Sequence, residues 1–248
     1  VLPTLRERAV DAVEIMDDPS CDPERLRRTY ADFRLVNAVV SGLRHSYRRD
    51  IRPRLSATRP HALLDIGSGG GDVARSLARW AARDGLRLTV TAIDPDTRAH
   101  DFAIDQPPLP GLRFRRAHSG DLVAAGERYD TVLSNHVLHH LAAADLGALL
   151  ADSERLSRGL VLHGDIERNP LAYAAFGLGT WPFFRGSYIC ADGLTSIRRS
   201  FTYPELAAAA PPGWTVHRER PYRLVLRWDA PGAVVAALPD GPDEAARA

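Results

Sequence analysis

Lysine is missing from this chain: all 32 of its basic Lys/Arg positions are arginine, set against 31 Asp and Glu in 248 residues. The formal charge of +1 offers no general field to draw in nucleic acid or an acidic membrane. A purely electrostatic binding protein is excluded, and so is a phosphate loop, which needs a Gly-Lys-Ser/Thr run. Cysteine is scarce as well. Cys21 and Cys190 supply neither a disulfide framework nor a metal-binding spacing, and nothing demands an oxidising compartment. No stretch approaches the ~18 consecutive apolar residues of a membrane span. The start, VLPTLRERAVDAVEIMDD, meets Arg and Glu before a signal-like apolar segment develops. The expectation is a cytoplasmic protein with no nucleic-acid or membrane partner.

What the chain does have is enough length for one large domain, or for one domain with a small cap. Residues 4–17 suggest a short amphipathic helix with Leu5, Val13 and Met16 as its buried positions. Asp22-Pro23 then reads as an N-cap and first helical residue. Leu26, Tyr30, Phe33, Val36, Val40, Leu43 and Tyr47 follow at spacings of three and four, one helical stripe in need of a partner surface. Ten Arg between residues 22 and 60, against Asp22, Glu24, Asp32 and Asp50, leave a local excess of about six positive charges on this cap.

From residue 61 short apolar runs alternate with helical segments. Strands are expected at 62–66, 88–93, 112–116, 131–134 and 160–163, and helices at 72–83, 97–103 and near 145–156. Such alternation implies an α/β fold with a largely parallel sheet covered on both faces, its ligand edge at the strand C-termini. The alternation lapses over residues 165–213, an insertion on that edge, with a further helix beginning near Pro204. It resumes as 214–219 and 222–228, two extended runs joined by a short connection containing Pro221, an antiparallel ending. The domain reading is a helical cap at 1–58, a core at 59–230 and a flexible tail at 231–248.

The sharpest local feature is LLDIGSGGGDVA, where Asp65, Gly67, Ser68, Gly69 and Gly71 fall between an expected strand and helix. Closely spaced glycines allow a tight turn and let backbone approach a ligand. A nicotinamide dinucleotide is the first competitor, and with it an oxidoreductase. Its Gly-x-Gly-x-x-Gly pattern fails here because Asp72 takes the third place, and an acid at a helix N-terminus sits badly beside pyrophosphate.

At this point the sequence resembles the class I S-adenosylmethionine-dependent methyltransferases, in their small-molecule, natural-product branch. The resemblance implies a Rossmann-like methyltransferase fold, a mostly parallel seven-stranded sheet whose C-terminal strand is antiparallel, with the N-terminal helical cap and the insertion after the fifth strand. It places Asp65, Gly67, Ser68, Gly69 and Gly71 around the methionine portion and ribose of S-adenosylmethionine. Asp94 and Pro95, in TAIDPD, match the acid that holds the ribose hydroxyls. Gly120 and Asp121 resemble the adenine-side acid, and Asn135 and His136 fall in the motif beside the methyl donor. A carboxylate accepts two hydroxyls well, and a neutral nucleoside needs no phosphate clamp.

On the acceptor side, histidine suits proton transfer near neutral pH, and His139 and His140 in VLHHL are the candidate bases. The pair is similar to one found in small-molecule O-methyltransferases, and cofactor packing is the alternative role for it. Asp165 would orient a histidine or a substrate hydroxyl. Ser134-Asn135 in place of an acid argues against a metal-dependent catechol pattern, so no metal is expected. Eight of the 18 aromatic residues lie between Tyr173 and Tyr203, where even spacing would give about two, so the insertion is concentrated in aromatics. Tyr173, Phe176, Trp181, Phe184 and Tyr188 would wall a pocket for a small hydrophobic or aromatic acceptor, with Arg198 for a carboxylate. The alternative use of the same cluster is to pack a helical cap or a homodimer contact. The expected reaction is methyl transfer to a hydroxyl. Carbon or nitrogen methylation and a non-catalytic cofactor-binding role remain the alternatives.

Overall fold

A computed structural model describes residues 5–232. Helix α1 (Pro23–Val40) is capped by the Asp22 carboxylate, which accepts from the backbone N–H groups of Glu24 and Arg25. A left-handed Gly42 at φ 56° interrupts the stripe before α2 (Leu43–Ser46) and the wider turn at Tyr47–Ile51 take it up again. The expected stripe is therefore an inward face carried by three elements, with Leu26, Tyr30, Val36, Leu43 and Tyr47 buried and Phe33 and Val40 half-buried.

The core runs β1 (His61–Ile66), α3 (Asp72–Arg83), β2 (Leu88–Asp94), α4 (Thr97–Asp105), β3 (Leu112–Arg116), α5 (Ser119–Ala124), β4 (Tyr129–Asn135), α6 (Ala143–Leu156) and β5 (Ser157–Ile166). Helices α7 (Pro170–Thr180), α8 (Ile189–Arg199) and α9 (Tyr203–Ala209) form the insertion, and β6 (Thr215–Glu219) and β7 (Arg223–Asp229) close the sheet. The seven strands lie in the order β3-β2-β1-β4-β5-β7-β6, and β7 runs antiparallel to both its neighbours. Leu63 and Leu64, adjacent in β1, are both fully buried, one in the cluster with α3 and Leu43, the other in the cluster with Leu122 and Leu150. That double cover is what a continuous apolar strand requires. Since β2 and β4 flank β1, the chain switches direction there, and the C-terminal ends of β1 and β4 open a crevice.

Over its described residues 5–17, the amphipathic helix expected at 4–17 does not form. Among residues 5–17 only Ile15–Asp17 makes a single 3₁₀ turn, and Val13 is exposed. The backbone of this arm is spent on other elements: Ala9 N–H donates to the Arg198 carbonyl, and the N–H groups of Ile15 and Met16 donate to the Asp192 carboxylate. The expected flexible tail lies, from residue 233 on, outside the described residues. No helix among the described residues is long and apolar enough to cross a membrane.

Candidate active site at the strand edge

The loop after β1 turns through three glycines in the left-handed region, Gly67, Gly69 and Gly71. At Gly67 a side chain is excluded twice over, by φ 69° and by Val137 Cγ2, which would stand 2.6 Å from a Cβ. Gly67 and Ser68 N–H groups donate to the Ile93 carbonyl, tying this loop to the end of β2. There Asp94 Oδ2 accepts from Gly69 N–H at 2.8 Å and Oδ1 from Asp96 N–H at 2.9 Å. Burial pushes the Asp94 carboxyl up against those backbone donors.

Asp65, at the end of β1, is 1% exposed, and neither of its carboxylate oxygens has a hydrogen-bond partner among the described residues. Burial first, then the nearby Asp72 and Asp94, hold its carboxyl well above the usual range. Both Asp65 and Asp94 line a cavity of about 400 Å³. An orphaned buried carboxylate facing a cavity calls for a cation or a hydrogen-bond donor to complete it. The charged amino group of S-adenosylmethionine is such a partner, and Asp94 retains lone pairs for two ribose hydroxyls. The residues present fit that cofactor.

The far side of the cavity is built after β4. Asn135 accepts from Arg223 at 3.1 Å, and His136 follows at φ 60°, a left-handed conformation that non-glycine residues rarely adopt and that strained functional turns do. His139 then sits between two carboxylates. It donates its Nδ1–H to Asp165 Oδ1 at 2.8 Å, its backbone N–H goes to Asp165 Oδ2, and its Nε2 stands 3.4 Å from Glu14 Oε1. Burial pushes the His139 imidazole down, but Asp165 and then Glu14 more than reverse this, leaving it at about 9. Burial likewise opposes ionisation of Glu14 and Asp165, and the histidines overcome it, so both carboxyls lie below their usual range. His140 packs beside His139 with ring centroids 4.3 Å apart, and its side chain is 31% exposed. Its Nδ1 lies 3.5 Å from Asp17 and its Nε2 3.7 Å from Glu14.

The structure brings Asp65, Gly67, Ser68, Gly69, Asp94, Pro95, Asn135, His136, His139, His140 and Phe176 together around this one cavity. It leaves the other expected site residues off its lining. Gly71 caps α3 against the Phe114 ring. Gly120 and Asp121 open α5, where the Asp121 carboxylate is used on the N–H of His118. Asp165 is buried behind His139 and orients it. The aromatic wall does not assemble: Trp181 is exposed, Tyr188 is buried against α1 with its hydroxyl accepting from Asp22 N–H, and Tyr173 and Phe184 are half-buried elsewhere. The Arg198 backbone carbonyl accepts from Ala9 N–H, and the Arg198 side chain is off the cavity lining.

The apolar wall comes instead from the α1 stripe, with Tyr30, Phe33, Val36 and Val40. Sequence reading missed Glu14, Asp17, Asp192 and Ser196, which line the acceptor side. No local pattern marks them, because Glu14 and Ser196 are joined only by a long-range hydrogen bond of 2.8 Å.

Residues 64–161 match a family model described as a methyltransferase domain. A ubiquinone biosynthesis O-methyltransferase of Cereibacter sphaeroides is 36% identical over 115 residues, 45% of this chain and 44% of that protein. One of Ruegeria pomeroyi is 35% identical over 129 residues, half of each chain. The chain thus spans about half, or less, of the length of these curated relatives. Among solved structures, the plantazolicin methyltransferase BpumL in complex with a triazolic desmethylPZN analog and SAH superposes with a TM-score of 0.55 at 13% identity, over 83% of this chain and 95% of that one. This likeness concerns the fold, the same arrangement of seven strands and flanking helices. Together with the glycine loop and the acid at the end of β2, these matches show a methyltransferase domain over residues 64–161, on the fold of solved methyltransferases.

Proposed function

We propose that the chain transfers the methyl group of S-adenosylmethionine to a hydroxyl oxygen of a small hydrophobic or aromatic acceptor, of the natural-product type. The observation that carries this reading is the single cavity whose one side is the glycine loop with Asp65 and Asp94, and whose other side is the Glu14, His139 and His140 cluster. When bound, the cofactor supplies an electrophilic methyl on a positive sulfur. Asp94 would hold the ribose hydroxyls and Asp65 the amino group, leaving the methyl side toward the acceptor half. Tyr30, Phe33, Val36 and Ile189 exclude water and offer an apolar surface to the acceptor. Both histidines have both ring nitrogens near carboxylates, but His139 is buried and held by Asp165 at 2.8 Å, whereas His140 stands 3.5 and 3.7 Å from its carboxylates with its side chain 31% exposed. His140 is therefore the residue placed to take the acceptor's proton. The curated relatives named as O-methyltransferases support oxygen as the receiving atom.

Calorimetry comes first: S-adenosylhomocysteine should bind and nicotinamide dinucleotides should not. Turnover is then followed with a panel of phenolic acceptors, in the presence of a chelator. His140→Ala is expected to lower kcat by a factor on the order of 10²–10⁴ and to flatten its pH profile, with S-adenosylhomocysteine affinity within about threefold of wild type. An unaltered kcat and pH profile would remove His140 from the reaction.

A further inference from the structure

The arm and the turn after β4 bring three donor atoms from separate side chains to one point. Glu14 Oε1 lies 3.4 Å from His139 Nε2 and 3.7 Å from His140 Nε2. Donors that each bind a small ion at roughly 2.0–2.2 Å in tetrahedral geometry stand about 3.3–3.6 Å from one another. These two separations are close to those of vertices around a single ion, and the donor atoms of the three residues all lie within 4.8 Å of one another.

The surroundings match as well. His139 Nε2 is buried, and its nearest partner, Glu14 Oε1 at 3.4 Å, is an ion-pair contact and not an aligned hydrogen bond. The Asp165 carboxylate holds the opposite ring nitrogen at 2.8 Å, an outer carboxylate that fixes the ring and aims Nε2 at Glu14. Ser196 Oγ donates to Glu14 Oε1 at 2.8 Å, so the ligating carboxylate is oriented too. Glu14 is held in place by its neighbours, since Ile15 and Met16 bond to Asp192 on α8.

We propose that Glu14, His139 and His140 form a binding site for one divalent ion of the zinc class, with its fourth position open to the cavity. Two imidazoles and one carboxylate are a borderline nitrogen and oxygen set, suited to Zn²⁺ or Co²⁺ and poor for Mg²⁺ or Ca²⁺. An open fourth position is the mark of a site that receives a ligand rather than a purely structural one. The site goes beyond the methyl-transfer reading and excludes, at His140, the base role given to that residue above, so turnover measured with and without a chelator separates the two. With an ion in place, His140 Nε2 serves as a ligand and not as a base, and an acceptor oxygen would meet the ion instead.

The test uses the full chain, stripped with a chelator and dialysed. Co²⁺ titration followed by its visible ligand-field bands, then Zn²⁺ and Mg²⁺ calorimetry, reads the site directly. One equivalent of Zn²⁺ that displaces Co²⁺, tetrahedral band intensity and no comparable Mg²⁺ binding are expected. Glu14→Gln and His140→Gln should each weaken Zn²⁺ at least tenfold, with native circular dichroism confirming that both variants fold. Absence of Zn²⁺ binding to folded wild-type protein, or equal affinity in both folded variants, would overturn the proposal and leave His139 a cation paired with Asp165 and Glu14. If only one variant folds, that variant decides. S-adenosylhomocysteine titrated into the same metal-free samples reads the methyl-transfer proposal separately, because its binding uses Asp65 and Asp94.

Discussion

The two halves of the cavity treat buried charge in opposite ways. On the acceptor side the charges answer one another: Asp165 faces His139, His139 faces Glu14, and Glu14 accepts from Ser196. On the cofactor side Asp65 answers to nothing, and Asp72 and Asp94 add to its cost. A closed network stabilises the fold that contains it, whereas an open carboxylate stores a deficit that only a ligand can fill. Stability and affinity should therefore respond to different residues in the two halves.

The strongest attempt to break this contrast is Asp165→Asn. Removing one partner of a buried ion pair costs about 3–5 kcal/mol, which in a chain of this size lowers the thermal midpoint by on the order of 10 °C. The affinity for S-adenosylhomocysteine should stay within about threefold, since Asp165 does not line the cavity. Thermal unfolding followed by circular dichroism, with calorimetry alongside, measures both. A wild-type midpoint would mean that the network does not hold the acceptor half together.

Asp65→Asn should do the reverse. Taking away a buried carboxyl whose ionisation the fold opposes and the unfolded chain does not is expected to stabilise the ligand-free protein by about 1–2 kcal/mol at pH 8 while weakening S-adenosylhomocysteine at least tenfold. Midpoints with and without the ligand make the comparison. The variant is predicted to melt higher alone and to gain less from the ligand. A variant that melts lower than wild type in both conditions would show that Asp65 belongs to the fold and not to the site.

The same division explains what the sequence allowed one to read. The cofactor half is made from contiguous or evenly spaced residues whose roles follow from local rules. The helix expected at 72–83 and the strand expected at 112–116 have those bounds, and the acid at the end of the second strand meets the glycine loop as the motif implies. The acceptor half depends on contacts between distant segments. Ile15 and Asp192 are 177 positions apart, and that bond, not helical periodicity, decides the path of the arm. The aromatic insertion misled for a related reason. Composition shows that Trp181 and Phe183 are large and apolar, but both lie exposed, and the wall facing the cavity comes from α1 with only Phe176 of the aromatics in the insertion.

Two buried histidines carry the comparison to a finer scale. His139, between carboxylates, is pulled up to about 9, whereas His163 on β5 has only Ser134 Oγ at 2.7 Å, Ser153 Oγ at 3.1 Å and the stacked Trp214 ring around it. Burial without a countercharge pushes His163 down to about 3. In the unfolded chain a histidine titrates near 6.5, so between about 6.5 and 3 the unfolded state binds a proton that the folded state refuses. The stability that His163 contributes is complete above 6.5 and is lost as the pH falls, by up to about 1.4 kcal/mol per pH unit. His163→Gln, which does not titrate, should therefore show a shallower loss of stability between pH 6 and pH 4 than wild type, whatever its stability at pH 7. Urea unfolding at half-unit intervals gives both slopes under the same carboxylate titrations. Parallel slopes would mean that His163 admits a proton while buried, and that in this fold a seryl pair serves a histidine cation as well as a carboxylate does.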